Sequence, residues 1–211
     1  MATGGDPAGP AMSAKGWYAH DDDPFGVGTL WYERRKRAVV AACLQQERYA
    51  RAWDVASGTG HLAQDLLGRC AELVGSDADP RAVELTRDRL TSGGSGEPQT
   101  ARVLQNRLPS RPPGLAACDL VLLSEVLYYL DDGARAMVPD LLEAVTAGSP
   151  GAEVVAVTWR HHPHDGHLSG AAAHAELHTA LTDRGWSRLV DHQDEDFVLH
   201  SWTAPSTGGQ P

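Results

Sequence analysis

Basic residues are the first shortage: 18 Lys and Arg stand against 28 Asp and Glu, a formal charge of −10. A nucleic-acid backbone is gripped through positive surface, so nucleic acid is not expected as a partner. A neutral or cationic small molecule suits this balance better. Cysteine is sparse too. Cys43, Cys70 and Cys118 lie in apolar surroundings with no C-x-x-C between them. An odd count without spacing predicts buried thiols in a reducing cytoplasm and no metal centre. No apolar run approaches the ~18 residues of a membrane span, and the chain's start lacks the charged-then-apolar order of a secretory leader. A soluble cytoplasmic protein with no membrane partner is expected, as a monomer or homodimer. A single domain fits 211 residues of which 42% are hydrophobic.

Missing too is G-x-G-x-x-G after the first predicted strand, which disfavours a nicotinamide oxidoreductase. Trp53-Asp54-Val55-Ala56-Ser57-Gly58-Thr59-Gly60-His61-Leu62 stands there instead. It reads as strand, small-residue turn and helix start, with the acid ahead of the glycines. Small residues let a ligand approach the backbone, and the helix start offers unpaired N–H groups.

Residues 1–16 are rich in Gly, Ala and Pro and are expected to be a disordered tail, as are 204–211. Between them, 17–203 should form one domain with a helical lid over 17–48. Asp21-Asp22-Asp23-Pro24-Phe25-Gly26 is an acidic turn, and a helix should run from Leu30 to about Gln46. Arg34, Arg35, Lys36 and Arg37 in its first turns oppose the helix dipole. They are either a solvated face, or an Arg or the Trp31-Tyr32 pair reaches over a ligand.

Strands are expected at 51–55, 72–77, 100–104, 119–123 and 153–159, and helices at 62–69, 81–90, 132–147 and 169–184. Pro80 suits a helix start, Gly185 a helix end, and Pro139 should kink or break its helix. Residues 91–99 read as a Gly/Ser/Pro linker, and Leu120 to Leu123 as a strand buried on both faces. The last two strands, 186–191 and 196–202, have no helix between them and should form an antiparallel edge hairpin. The fold class is therefore α/β: a Rossmann-like, doubly wound seven-stranded sheet, mainly parallel, with ligands at the carboxyl ends of its strands.

Those ends fall at Asp54 to Gly60, Asp77, Gln105-Asn106 and Ser124-Glu125. In this order they resemble class I S-adenosylmethionine-dependent methyltransferases, whose first motif is an acid followed by G-x-G-x-G. Ala56 replaces the first glycine, which the turn tolerates if Ala56 keeps a negative φ. The resemblance implies that Asp54, Ala56, Ser57, Gly58 and Gly60 lie against the amino-acid part of S-adenosyl-L-methionine. It further implies that Asp77 accepts the ribose hydroxyls, that Ala78 borders the adenine, and that S-adenosyl-L-homocysteine is the product. Gln105 and Asn106 stand where the family usually has an Asp, and an amide oxygen can still serve the adenine amine. Taken alone, Asp77 is equally a helix N-cap before Pro80.

Asp23-Pro24-Phe25-Gly26, Trp31-Tyr32-Glu33-Arg34-Arg35-Lys36, Ser124-Glu125-Val126-Leu127-Tyr128-Tyr129-Leu130 and Thr158-Trp159-Arg160-His161 carry a narrower resemblance, over about residues 23–202. It is to the NodS-like methyltransferases, named for a nodulation N-methyltransferase acting on the deacetylated glucosamine end of a chitooligosaccharide. By this resemblance Tyr32, Arg35, Ser124 and Glu125 join the cofactor-binding set, and the acceptor is a small molecule.

An amine must be neutral to attack, so a base or a carboxylate that steers its proton away helps. Glu125 is the first candidate, with Tyr128 orienting the acceptor or facing the sulfonium through its ring. His161, directly after the fifth strand, is a candidate base near neutral pH. The spacing of His161, His162, His164 and His167 is too close for a helical zinc motif, so a mobile acceptor-side loop is expected and no metal. N-methylation of an amino sugar or natural-product intermediate leads. O-methylation of a hydroxyl is the alternative, and a non-catalytic cofactor-binding regulatory subunit is the alternative of another class.

Overall fold

The structure, a computed structural model, describes residues 16–92 and 100–205. Most of the expected tails and of the 91–99 linker lies outside the described residues.

Among the described residues seven strands form one sheet: β1 (Tyr49–Asp54), β2 (Cys70–Asp77), β3 (Thr100–Gln105), β4 (Leu120–Ser124), β5 (Glu153–Trp159), β6 (Ser187–Gln193) and β7 (Phe197–Thr203). Their order is β3-β2-β1-β4-β5-β7-β6. The first five are parallel to their neighbours, and β7 runs antiparallel between β5 and β6. The predicted hairpin is present, with its second strand inside the sheet and β6 on the edge. Asp54 stands opposite both Gly75 of β2 and Leu122 of β4. The strand order reverses beside β1, so the loops after β1 and β4 diverge around a crevice, where such sheets bind ligands.

Among the described residues five α-helices cover the sheet: α1 (Trp31–Cys43), α2 (His61–Leu66), α3 (Pro80–Ser92), α4 (Asp132–Thr146) and α5 (Gly170–Asp183). Alternate residues of the central strands feed two apolar layers, as their two-residue period requires. Trp53, Val121, Leu123 and Ala156 pack with Leu142 of α4 and Leu177 of α5. Ala52, Leu122, Val155 and Val157 pack with Val40 of α1 and Leu66 of α2. β4 has Leu120 to Leu123 buried throughout, which explains its unbroken apolar run.

Two glycines permit close packing near the crevice. A Cβ on Gly60, at φ 76°, would lie 2.9 Å from Thr86 Cα of α3. A Cβ on Gly170 would lie 1.9 Å from the Trp159 carbonyl oxygen, so the start of α5 rests on the end of β5. The expected break at Pro139 does not occur. α4 runs unbroken through it, with Pro139 itself buried.

Candidate active site

At the end of β1, Asp54 is only 1% exposed, and neither carboxylate oxygen has a hydrogen-bond partner among the described residues. Burial raises its pKa to about 7, and the nearby charge of Asp77 adds to the rise. A buried carboxylate without donors is costly, so Asp54 is a ready partner for a cationic ligand group. The turn beyond it is built by Ser57 N–H donating to Ser76 O (2.9 Å) and Gly60 N–H to Ser57 O (2.7 Å). Gly58 and Gly60 have φ of 53° and 76°, while Ala56 is not left-handed, which is the condition its methyl requires.

Asp77 closes this turn from β2. Its Oδ2 accepts from Gly58 N (3.0 Å) and its Oδ1 from Asp79 N (2.9 Å). Burial raises its pKa, and those N–H bonds oppose the rise. The helix cap before Pro80 is made by Asp79, which accepts from Arg81 N (2.8 Å). After β3, Gln105 donates to the carbonyl of Ala78 (3.1 Å) and Asn106 to that of Ser110 (2.7 Å). Both amide oxygens are without a hydrogen-bond partner among the described residues.

A strap formed by residues 16–29 lies over this corner. Tyr18 is buried, and a Cβ on Gly58 would sit 3.1 Å from its hydroxyl. Burial, followed by Asp77 and Asp79, keeps that hydroxyl protonated. Asp22 holds Arg81 with both oxygens (2.8 and 3.0 Å), Arg37 donates to the Val27 carbonyl, and Trp17 packs on Phe25 and Tyr129. Trp17 and Tyr18 were not among the expected site residues. Two adjacent aromatics just ahead of the Asp21–Asp23 turn were their only signal.

Glu125, immediately after β4, is the only non-glycine residue with positive φ (53°) among the described residues. Such a conformation is strained for a side chain and persists where surrounding contacts over-determine it. Four donors do so here. Oε1 accepts from Lys36 and from the Tyr32 hydroxyl (3.2 Å), and Oε2 from Tyr128 and from Trp159 N–H (2.9 Å). Burial pushes the Glu125 pKa up, but Lys36 and the bonds from Tyr128 and Trp159 bring it below the usual range. Burial pushes Lys36 the other way, and the charges of Glu125 and Glu33 outweigh it, so its ammonium persists. Burial also raises the pKa of Tyr32 and Tyr128, both beside the Glu125 charge. Ser124 ends β4 opposite Val157, which carries the chain into this corner.

The basic run of α1 is not a free solvated face. Lys36 is 2% exposed, Arg35 pairs with Asp194, Arg37 with Asp65 (2.7 Å), and Arg34 donates to the Thr29 carbonyl. Arg35, expected at the cofactor, lies over the Phe197 ring (5.1 Å) at the β6–β7 hairpin. The His161 ring is exposed and bonds the Glu195 carbonyl (3.1 Å) at the same hairpin, away from the Glu125 cluster's hydrogen bonds. His162 bonds the Gly166 carbonyl (3.0 Å) within its own loop. Among the described residues no group of His, Cys, Asp and Glu is arranged to hold a metal ion. Among them, no helix is long and apolar enough to cross a membrane.

A reversal of strand order with acid-tipped loops after β1 and β2 defines the class: a Rossmann-like methyltransferase fold. A family model described as a methyltransferase domain matches residues 53–149. A Pseudomonas syringae protein assigned to the methyltransferases is 37% identical, with 83% of this chain and 100% of that one covered at a TM-score of 0.67. The chain belongs to the methyltransferase family. Nodulation protein S of Rhizobium tropici is 29% identical over 130 residues, 60% of this chain. The match spans about half of that relative's length (52%). The N-methyltransferase NodS of Bradyrhizobium japonicum, solved with S-adenosyl-L-homocysteine, shares the fold at a TM-score of 0.71 and 20% identity, over 89% of this chain and 94% of that one. The residues present fit that cofactor class: Asp54 offers an unpartnered buried carboxylate to an α-ammonium, beside a turn of small residues.

Proposed function

We propose that this protein transfers a methyl group from S-adenosyl-L-methionine to the amine of a small molecule, such as an amino sugar or a natural-product intermediate. One observation carries the preference for nitrogen: both oxygens of Glu125 are already engaged by four donors. A hydroxyl acceptor must lose its proton to a base with an available lone pair. Glu125 is anionic but saturated, and His161 is bonded to the rim. A neutral amine brings its own lone pair, so alignment next to negative charge suffices. The N-methyltransferase named among the similar structures agrees with this reading.

The bound cofactor supplies a methyl on a sulfonium, an already activated leaving group. Asp54 holds the ammonium of its amino-acid part, and Ala56, Ser57, Gly58 and Gly60 back that part through the turn. Asp77, with one N–H bond on each oxygen, would accept the ribose hydroxyls on its remaining lone pairs. Ala78 borders the adenine, whose amine meets the amide oxygens of Gln105 and Asn106. Ser124, Tyr32 and Tyr128 surround Glu125 and orient the acceptor, while Arg35 and His161 shape the rim.

Incubation with methyl-labelled cofactor and a panel of amino sugars and their hydroxyl counterparts tests the proposal. Label should enter the amines alone. Label in the hydroxyl compounds, or in no member of a cell-extract acceptor pool, would overturn it.

A further inference from the structure

Glu33, Lys36 and Glu125 form a buried acid–base–acid line that the transfer chemistry above does not use in full. Lys36 Nζ donates to Glu33 (2.8 Å) and to Glu125, and it sits 4.8 Å from the Tyr32 ring centre. Glu33 and Lys36 are 6% and 2% exposed, whereas the Glu125 side chain is 25% exposed. The line therefore opens outward only at Glu125. One ammonium between two carboxylates leaves an excess of one negative charge in a poorly solvated place, which is costly without a compensating cation.

That opening adjoins the cofactor corner. Val55 N–H donates to Leu122 O (3.1 Å), so β4 delivers Glu125 beside the turn that follows Asp54. The strap joins the two: Tyr18 lies on Gly58, and Trp17 packs on Tyr129 (4.9 Å), next to Tyr128.

We infer that the Glu33–Lys36–Glu125 line is the counter-charge for the sulfonium, and that Glu33 and Lys36 set the preference for methyl donor over demethylated product. The inference rests on the cofactor assignment. Donor and product share their amino-acid and adenosine parts and differ in one positive charge, lost when the methyl leaves with the S–C electron pair remaining on sulfur. A site with an excess negative charge holds the first and loosens the second. Asp54 and Asp77 also attract the sulfonium, but they are unchanged in the variants compared, so their contribution is constant across them.

The test is calorimetric binding of S-adenosylmethionine and S-adenosylhomocysteine to the full chain at pH 8. Glu33→Gln removes the excess charge. It should lower the ratio of donor to product affinity about tenfold, the effect of one charge across roughly 10 Å at an effective dielectric near ~20. Glu33→Gln/Lys36→Gln leaves Glu125 as the single charge and should restore the ratio. A merely structural role for these residues predicts the opposite, since the double variant loses more contacts. Equal weakening of both ligands by Glu33→Gln, or a lower ratio in the double variant, would overturn the inference.

A pH titration provides a second readout if a Glu33 variant fails to fold. Glu33 faces Lys36 and Arg37 of its own helix and Glu125 of the β4 end, and its carboxyl is raised by burial against the pull of Lys36. In Asp54→Asn, which lacks the carboxyl that titrates near 7, acidification should therefore still reduce the donor preference as Glu33 takes up its proton. A ratio constant from pH 8 down to the ordinary carboxylate range would contradict it. Wild-type binding of neither ligand would overturn the cofactor assignment as well, whereas binding without charge dependence overturns this inference alone.

Discussion

Trp17 and Tyr129 lie with ring centres 4.9 Å apart, so the N-terminal strap and the corner after β4 share one aromatic wall. Phe25 packs on the same Trp17 ring at 5.5 Å. The strap is thus fastened at the acceptor side by rings and at the cofactor side by Tyr18 and the Asp22–Arg81 pair.

Trp17→Ala should release the strap without unfolding the sheet. Aromatic pairs contribute about 0.5–1.5 kcal/mol beyond their buried area, so homocysteine-product affinity should fall roughly three- to tenfold, chiefly through faster dissociation. Stopped-flow release measured beside the melting temperature separates this from global destabilisation. A variant with unchanged release would show that the strap does not cover the cofactor.

Asp54 links cofactor affinity to pH. Its folded-state pKa is raised from 3.8 to about 7 by burial and by Asp77. A raised carboxyl stabilises the ligand-free fold at low pH, and that contribution is lost as pH rises toward 7, by roughly 4 kcal/mol. A ligand ammonium offsets the loss by pairing with the ionised form. Product affinity should therefore climb close to tenfold per pH unit between pH 5.5 and 7 and then level. Asp54→Asn should abolish the slope, weaken binding at pH 8 and stabilise the ligand-free protein there. Calorimetry and urea denaturation on both proteins check the three outcomes.

A second pH effect runs the other way. His174 Nδ1 meets His200 Nδ1 at 3.3 Å, and His200 Nε2 meets Asp191 at 3.1 Å, between α5 and the β6–β7 pair. Burial, then His200, lowers the His174 pKa to about 3, and burial lowers that of His200 despite Asp191. A depressed imidazole contributes stability above pH 6.5 that is lost as pH falls toward the folded value, at most about 5 kcal/mol for His174. Replacing His174 by leucine should shrink the stability difference between pH 7.5 and pH 5 measured in urea. An unchanged difference would assign acid sensitivity elsewhere.

The sheet was legible because its signals are local. The apolar run of β4, the acid–small-residue turn after β1 and the missing helix before β7 each depend on a few neighbouring residues. That Asp54, Asp77 and Gln105 stand at the ends of adjacent strands was legible for the same reason. The Glu125 cluster was not, because Lys36 and Glu125 are 89 positions apart and the pairing depends on how α1 crosses the sheet. Lys36 read as one of four adjacent cations. Its spacing from Glu33 and Val40, three before and four after, places all three on the buried face and was the available clue. The strap falls within the expected lid over 17–48, but residues 16–29 form turns rather than helix, and Arg35 and His161 were drawn to the β6–β7 hairpin by Asp194 and the Glu195 carbonyl, which lie more than 30 residues beyond either.

Carbon NMR of the protein with methyl-13C-labelled S-adenosylmethionine and equimolar glucosamine-type and hydroxyl-only acceptors tests the central claim most directly. The account predicts that the sulfonium methyl resonance decays into an N-methyl resonance, with no O-methyl signal. Growth of an O-methyl resonance, or a persistent sulfonium methyl with every amine offered from a cell extract, would contradict it.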